Sequence, residues 1–449
     1  MRRARQSWKA GLTGAVLAVA AGCGGDSGTG QDVAASVAVG RASALGSRLA
    51  GVSDADFAEA QAAFTAVESI TDGVGPIFNE RSCAGCHSLG AVGGAGENIE
   101  RRFGRFVNGA FDSMAARGGS LRQLFTLGTF NNGNTLCIVP QEAEPAGATI
   151  HNVGRRTVPL FGLGLVDAMP DSFFDSLAAG EPSAVRGVVN RVRVLLPNPA
   201  DPTQGVGTVR VARFGWKAGV PSLLQFSADA YLNEMGITTQ HCFKGTSILS
   251  FATESAPNGV PMPVGCDDLA PPAPAGVPAG VDDAVGACGG GRTELQDDVA
   301  LFTTFMTFLA PPPRDLSDQI SITRGDPIFT RIGCASCHTR TAFVTPPSPA
   351  NGVPGNFAFH PYSDFLAHDM GSLGDQIGND GDPLAVTRRM RTAPLWGVRF
   401  QNRLLHDGRA GNVEEAVRAH DGQGAASRDA FNGLSSDDKH AVVQFVRSL

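Results

Sequence analysis

Apolar residues recur at helical spacing at two places, one late in each half of the chain. Phe302, Phe305, Met306 and Leu309 follow Asp297-Asp298, and Val442, Phe445, Val446 and Leu449 follow Asp437-Asp438. Spacings of i, i+3, i+4 and i+7 put each set on one helix face, and the leading acids suit a helix N-terminus. Pro311-Pro312-Pro313 stops the first helix. Between residues 185 and 215 the period falls to two. Arg191-Val192-Arg193-Val194-Leu195 and Val206-Gly207-Thr208-Val209-Arg210-Val211 predict a β-hairpin. Residues 23–50 and 255–291 carry neither period and read as a flexible tether and a low-complexity loop.

Composition narrows the classes. The chain has 449 residues, with 57 Gly and 28 Pro, 42 % hydrophobic residues and a net charge of −7. That apolar content supports a core and excludes a wholly disordered chain. The glycine and proline excess predicts long loops. No basic face argues for nucleic acid, so none is expected as a partner.

Chemistry enters with the cysteines. Cys83-Ala-Gly-Cys86-His87 and Cys334-Ala-Ser-Cys337-His338 are two copies of Cys-x-x-Cys-His, the attachment signature of c-type haem. Two thiols one helical turn apart can each bond a vinyl group of one porphyrin, and the following imidazole then reaches the iron from below. Pro76-Ile77-Phe78 and Pro327-Ile328-Phe329 precede the motifs with the same gap. A zinc site would not need His after both pairs. The expected cofactors are therefore two covalent haems, with His87 and His338 on the irons. Cys137, Cys242, Cys266 and Cys288 are left for disulfides, with Cys266–Cys288 the favoured pair because they flank one loop.

The N-terminus reads as an address. Arg2, Arg3, Arg5 and Lys9 precede the apolar run Ala10 to Gly22. That run is shorter than the roughly 20 residues a spanning helix needs, but it suits a signal peptide. Ala20-Ala21-Gly22-Cys23 resembles a bacterial lipobox, which implies lipid on Cys23 and no other hold on a membrane. Ordinary signal cleavage is the other reading, and either one exports the chain. The expected localisation is periplasm-facing, anchored to a bacterial (outer) membrane.

A second repeat, Arg156-Thr157-Val158-Pro159-Leu160-Phe161-Gly162 against Arg391-Thr392-Ala393-Pro394-Leu395-Trp396-Gly397, completes a duplicated plan. The expected fold is mainly α: two cytochrome c-like haem domains, the first enlarged by a β-hairpin insertion and long loops. The expected segments are a signal at 1–22, a tether at 23–50 and domains at 51–312 and 313–449.

On these motifs, with Pro361-Tyr362-Ser363-Asp364, His368-Asp369-Met370-Gly371 and Leu405-His406-Asp407-Gly408, the chain resembles the di-haem oxidoreductase family related to bacterial di-haem cytochrome c peroxidases. In the peroxidases a His-x-Gly segment is followed fourteen residues on by a Met or Tyr ligand of the C-terminal haem. Here that position is His420. The resemblance implies a low-spin C-terminal electron-transfer haem feeding an N-terminal haem that binds hydrogen peroxide or a related oxidant. The alternative is a non-catalytic electron-transfer cytochrome. The expected partners are a periplasmic electron donor or acceptor and a small oxidant.

Peroxide cleavage also needs a distal acid or base. Glu142, His151, Asp167 and Asp171 are the candidates in the first half, with Glu144 beside them. Trp216 is placed by the resemblance between the haems, with core packing as the other reading. Arg156 and Arg391 suit haem propionates or structural salt bridges. Asn379, Asp380 and Asp382 offer the oxygen donors of a Ca²⁺ loop, or form a solvated turn.

Overall fold

Helix Asp54–Thr65 starts at Ser53, whose side chain accepts the Asp56 N–H, and it buries Phe57, Ala60 and Phe64. These residues pack on helix Asp298–Phe308, where Phe305 lies 4.6 Å from Phe64 and 5.4 Å from Phe57, ring centre to ring centre. Helix Leu223–Met235 adds Tyr231 against Phe302 at 5.0 Å. It ends at Gly236, whose φ of 78° is left-handed and favours glycine. The three helices carry the larger of two apolar cores.

The smaller core forms where helix Gln319–Arg331 meets helix Ser436–Arg447. A Cβ on Gly325 would lie 2.1 Å from the Ala441 carbonyl, so glycine permits that approach. Phe329 stacks on Phe445 at 5.2 Å. Both closing helices predicted from apolar spacing are present.

This computed structural model describes residues 38–39, 44–196, 205, 207–243, 246–250, 263, 265–266 and 298–449. Cys23, Asp297, Cys288 and most of the 255–291 loop lie outside them. Among the described residues no helix is long and apolar enough to cross a membrane.

Four expectations change. The fold is mixed, mostly helical, with 34 % helix and 18 % strand in many small sheets. The largest sheet orders Ala110–Asp112, Ile99–Val107 and Leu121–Arg122 antiparallel, with Ile150–Arg156 also paired to Ile99–Val107. Its strands are rich in arginine and glycine, so no alternating apolar signal announced them. The repeated Pro-Ile-Phe does not repeat in structure. Pro327 sits inside a helix capped by Asp318, whereas Ile77-Phe78 pairs as a strand with Phe125-Thr126 after two left-handed glycines, Gly73 and Gly75. The tether reading fails for residues 44–50, because Leu49 is buried and its N–H donates to the Phe308 carbonyl at 2.7 Å. Cys266 bonds Cys137, not Cys288, with Cα atoms 5.3 Å apart; the hairpin Gly128–Asn132/Thr135–Val139 brings a residue distant in sequence beside the loop.

The predicted insertion hairpin is present, with Arg191 opposite Val211 and Arg193 opposite Val209. The Arg-Thr-x-Pro-Leu repeat also survives in three dimensions. Gly162 and Gly397 share a φ of 70°. The N–H of Gly162 donates to Leu309 and that of Gly397 to Leu449, each the closing apolar residue of its half.

Candidate cofactor sites

The second motif forms one tight turn. Cys334–Ser336 is a 3₁₀ turn after Gly333, whose φ is 91°, and the His338 N–H donates to the Cys334 carbonyl at 3.0 Å. The ring of His338 is set by its Nδ1, 3.0 Å from the Tyr362 carbonyl. That contact gives Nδ1 the proton and leaves Nε2 as the ligating nitrogen. Burial pulls its pKa down to about 4, which keeps the ring neutral.

His338, Cys334 and Cys337 open on a cavity with about 200 Å³ of room for water-sized molecules, widening into solvent. His420 lines the same cavity. It follows helix Val413–Arg418, capped by Asn412, and its Nδ1 lies 2.8 Å from the Ala416 carbonyl. Burial holds this imidazole below its ordinary pKa as well. Room for the ring comes from Gly424, where a Cβ would meet His420 Cδ2 at 3.1 Å. Leu395, Val398, Leu404, Val413 and Val417 make the walls apolar. Two neutral imidazoles with oriented Nε2 atoms, two thiols and an apolar slot are a donor set that fits a haem.

Trp216, His406 and Arg391 also line this cavity. Arg391 donates to the carbonyls of Gly215 at 2.7 Å and Thr392 at 3.0 Å and stacks on Phe365. Asp364 is the carboxylate whose charge reaches it, without a direct bond among the described residues, so its guanidinium remains suited to a propionate. Arg156 differs. Its guanidinium meets three neutral oxygens, on Gly96, Gln401 and Asn402, and it is not in the cavity wall.

At the first motif Cys83–Cys86 is a single helical turn, and the His87 N–H donates to the Cys83 carbonyl at 2.9 Å. His87 Nδ1 lies 3.2 Å from the Gly94 carbonyl, and Phe64 lies against the ring at 6.1 Å. Burial lowers its pKa to about 4, against contacts from the carbonyls of Gly94 and Val158. Cys86 Sγ accepts from the Asn98 amide at 3.1 Å. Burial, with Asp298 and Asp72 nearby, raises Glu68 beside Cys83 to about 7. Burial and Glu100 raise Glu234, near Cys86, to about 8.

The two motifs are physically joined. A Cβ on Gly96 would strike the Cys86 carbonyl at 1.8 Å, so the two backbones touch. The Gly96 carbonyl accepts from Arg156 Nε at 3.0 Å, and the Arg156 carbonyl accepts from Trp216 Nε1 at 2.7 Å. Trp216 stands edge-on to His406, with ring centres 6.3 Å apart. Asp375 binds Arg155 at 2.7 Å and Lys217, the residue after Trp216, at 3.0 Å.

The remaining candidates go elsewhere. Glu142 accepts the Gln123 N–H at 2.6 Å, and burial raises it to about 7. His151 is exposed on Glu144 at 2.8 Å. Asp167 and Asp171 face Arg210 and the fully buried Arg213, which fasten the insertion hairpin. None of these four lines the cavity. Asp380 accepts the Ser113 N–H at 2.6 Å and Asp382 the Asn379 N–H at 2.8 Å, so main-chain amides already occupy these loop acids. His406 was missed as a site residue although it lies in a quoted motif, and His368, readable from sequence as an iron ligand or as an organiser of the inter-domain region, lines the cavity and pairs with Asp364.

Residues 149–449 match the family described as "di-haem oxidoreductase, putative peroxidase", and the chain belongs to that family. The match includes the second motif and His420; the first motif lies before it. No curated protein matches the chain. Among solved structures it is similar to Kuenenia stuttgartiensis hydrazine synthase pressurised with xenon, at 16 % identity and a TM-score of 0.25. That likeness covers 34 % of this chain and about half (55 %) of the other, and at such a score it carries no argument.

Proposed function

We propose that this protein is an exported, lipid-anchored di-haem oxidoreductase of peroxidase type that faces the periplasm. Its haems are attached at Cys83/Cys86 and at Cys334/Cys337. Bound haem supplies one-electron chemistry and, at an open iron face, binding of peroxide. His338 and His420 would both hold the second group, and two strong nitrogen ligands would suit it to electron storage. His87 holds the first, which meets the oxidant. Trp216 spans the two, its indole in the second cavity wall and its N–H on Arg156. Arg391 neutralises a propionate. The electron donor is a periplasmic redox partner.

The observation that carries this reading is the shared cavity, in which two buried imidazoles, each oriented through Nδ1 by a carbonyl, flank the paired cysteines. The test is spectroscopic. Visible and EPR spectra of the ferric protein are expected to show one low-spin and one high-spin haem, the latter altered by peroxide. Two low-spin haems indifferent to peroxide and cyanide would replace the peroxidase with an electron-transfer cytochrome.

A further inference from the structure

In the wall of the second cavity, at Cys337 and His368, a polar cluster begins that the proposed function leaves unused. His368 and Asp364 are 2 % and 1 % exposed. His368 Nε2 lies 3.0 Å from Asp364 Oδ2, and its Nδ1 lies 3.7 Å from Cys337 Sγ. Asp364 is fixed from two more directions. Its Oδ1 accepts the Leu366 N–H at 2.8 Å, and its own N–H donates to the Cys337 carbonyl at 3.0 Å. Gly187 closes over the ring, since a Cβ there would lie 2.7 Å from Nε2. Glu181, which accepts the Gly187 N–H at 2.7 Å, brings a second carboxyl to the cluster.

A count of protons fixes the chemistry. A carboxylate only accepts, so Nε2 carries a hydrogen. While Cys337 is a thiol, its S–H can point at a bare Nδ1. Thioether formation adds S–H across a vinyl double bond: sulfur bonds one carbon, the proton ends on the other, and no electrons leave or enter. The sulfur then has lone pairs alone. A bare Nδ1 would oppose them, whereas a protonated Nδ1 meets them as a donor. Attachment therefore moves the donor role from sulfur to ring.

We propose that in the haem-bearing protein His368 is an imidazolium, paired with Asp364, that donates Nδ1–H to the Cys337 thioether and stabilises the reduced second haem. The proposal rests on the assignment of Cys337 as an attachment residue. A cation at the haem edge favours the added electron, and a hydrogen bond drawing density from the sulfur acts in the same direction. It offsets the preference of a bis-histidine site for ferric iron. At the first motif Cys86 has a neutral amide neighbour, Asn98, so the effect falls on one haem. His368 is a positioning and tuning residue and touches no oxidant.

The experiment is a spectroelectrochemical titration of the full-length holoprotein, His368→Gln and Asp364→Asn. In His368→Gln the reduced-to-oxidised ratio of the second haem at fixed potential is expected to fall about tenfold, the scale of one charge at an effective dielectric of about 20. The first haem should not move. Asp364→Asn removes the anion and loosens the proton it holds, so the second haem should stay in place or shift the other way, and not fall with His368→Gln. An unmoved second haem in His368→Gln, or the same shift in both variants, overturns the proposal. The unaltered ferrous protein gives a second readout: two exchange-protected ring N–H signals for His368 support the imidazolium, and one refutes it. Mass spectrometry counts haems in each sample, so lost attachment speaks against the motif assignment and not against the role of His368.

Discussion

Asp375→Asn is expected to cost more stability than any surface substitution in the chain. The carboxylate is fully buried, with one oxygen 2.7 Å from Arg155 Nε and the other 3.0 Å from Lys217 Nζ. Both cations hold it far below the ordinary carboxylate range despite the opposing effect of burial. At an effective dielectric of about 20 each contact is worth about 5–6 kcal/mol before desolvation. Removing one partner of a buried pair typically costs about 3–5 kcal/mol net, because the stranded charge remains. The two stranded charges behave differently. Arg155 cannot shed its proton, but Lys217 can, since burial already brings it down to about 8. Losing Asp375 lowers Lys217 further, so the deficit should narrow as pH rises from 7 toward 9. Urea unfolding followed by circular dichroism should show a lower midpoint, an unchanged slope and a loss of about 3–5 kcal/mol at pH 7. A loss below about 1 kcal/mol, or a deficit that widens with pH, would refute this electrostatic account of the Arg155–Asp375–Lys217 cluster.

Three further outcomes are expected. His420→Ala should convert the second haem from low to high spin, and added imidazole should restore it; an unchanged spectrum removes His420 from the iron. Glu234 has a folded pKa raised from 4.5 to about 8, so the native state holds that proton more tightly and stability falls as pH rises through this window at up to about 1.4 kcal/mol per unit. Glu234→Gln should flatten the decline, with its largest gain near pH 8–9 and none near pH 4, read from unfolding midpoints across pH. Cys137→Ser should cost about 2–5 kcal/mol, since the bond closes a long loop, and peptide mapping of the native protein should recover Cys137 joined to Cys266.

What could be read from the chain alone was whatever depends on short range. Each Cys-x-x-Cys-His motif is a local turn, and the closing helices announce themselves through Phe302/Phe305 and Val442/Phe445 spacing. The hairpin of residues 191–211 shows its alternation directly. His420 was pointed to by the family resemblance, through an offset from His406, and not by the chain alone. What escaped depends on pairings between distant residues. Strand Ile99–Val107 carries three arginines and a glycine and gains its order from Ile150–Arg156. Cys137 meets Cys266 across a separation of 129 residues. Asp167 and Asp171 looked like free acids until Arg210 and Arg213 arrived from the insertion. His368 could not be recognised as a neighbour of Cys337 because thirty-one residues separate them. Pro-Ile-Phe adopted two conformations because the residues upstream of each copy differ.

Trp216 has a second set of bonds. Its indole N–H reaches the carbonyl of Arg156, and its own carbonyl accepts the Arg391 N–H at 2.7 Å. Those two arginines occupy the same place in the internal repeat, so a residue from outside the repeat is gripped by both copies at once. A shift in the main chain of either arginine must drag the indole along or snap one of its two bonds. The two copies of the repeat thus share the main-chain and indole bonds of one tryptophan.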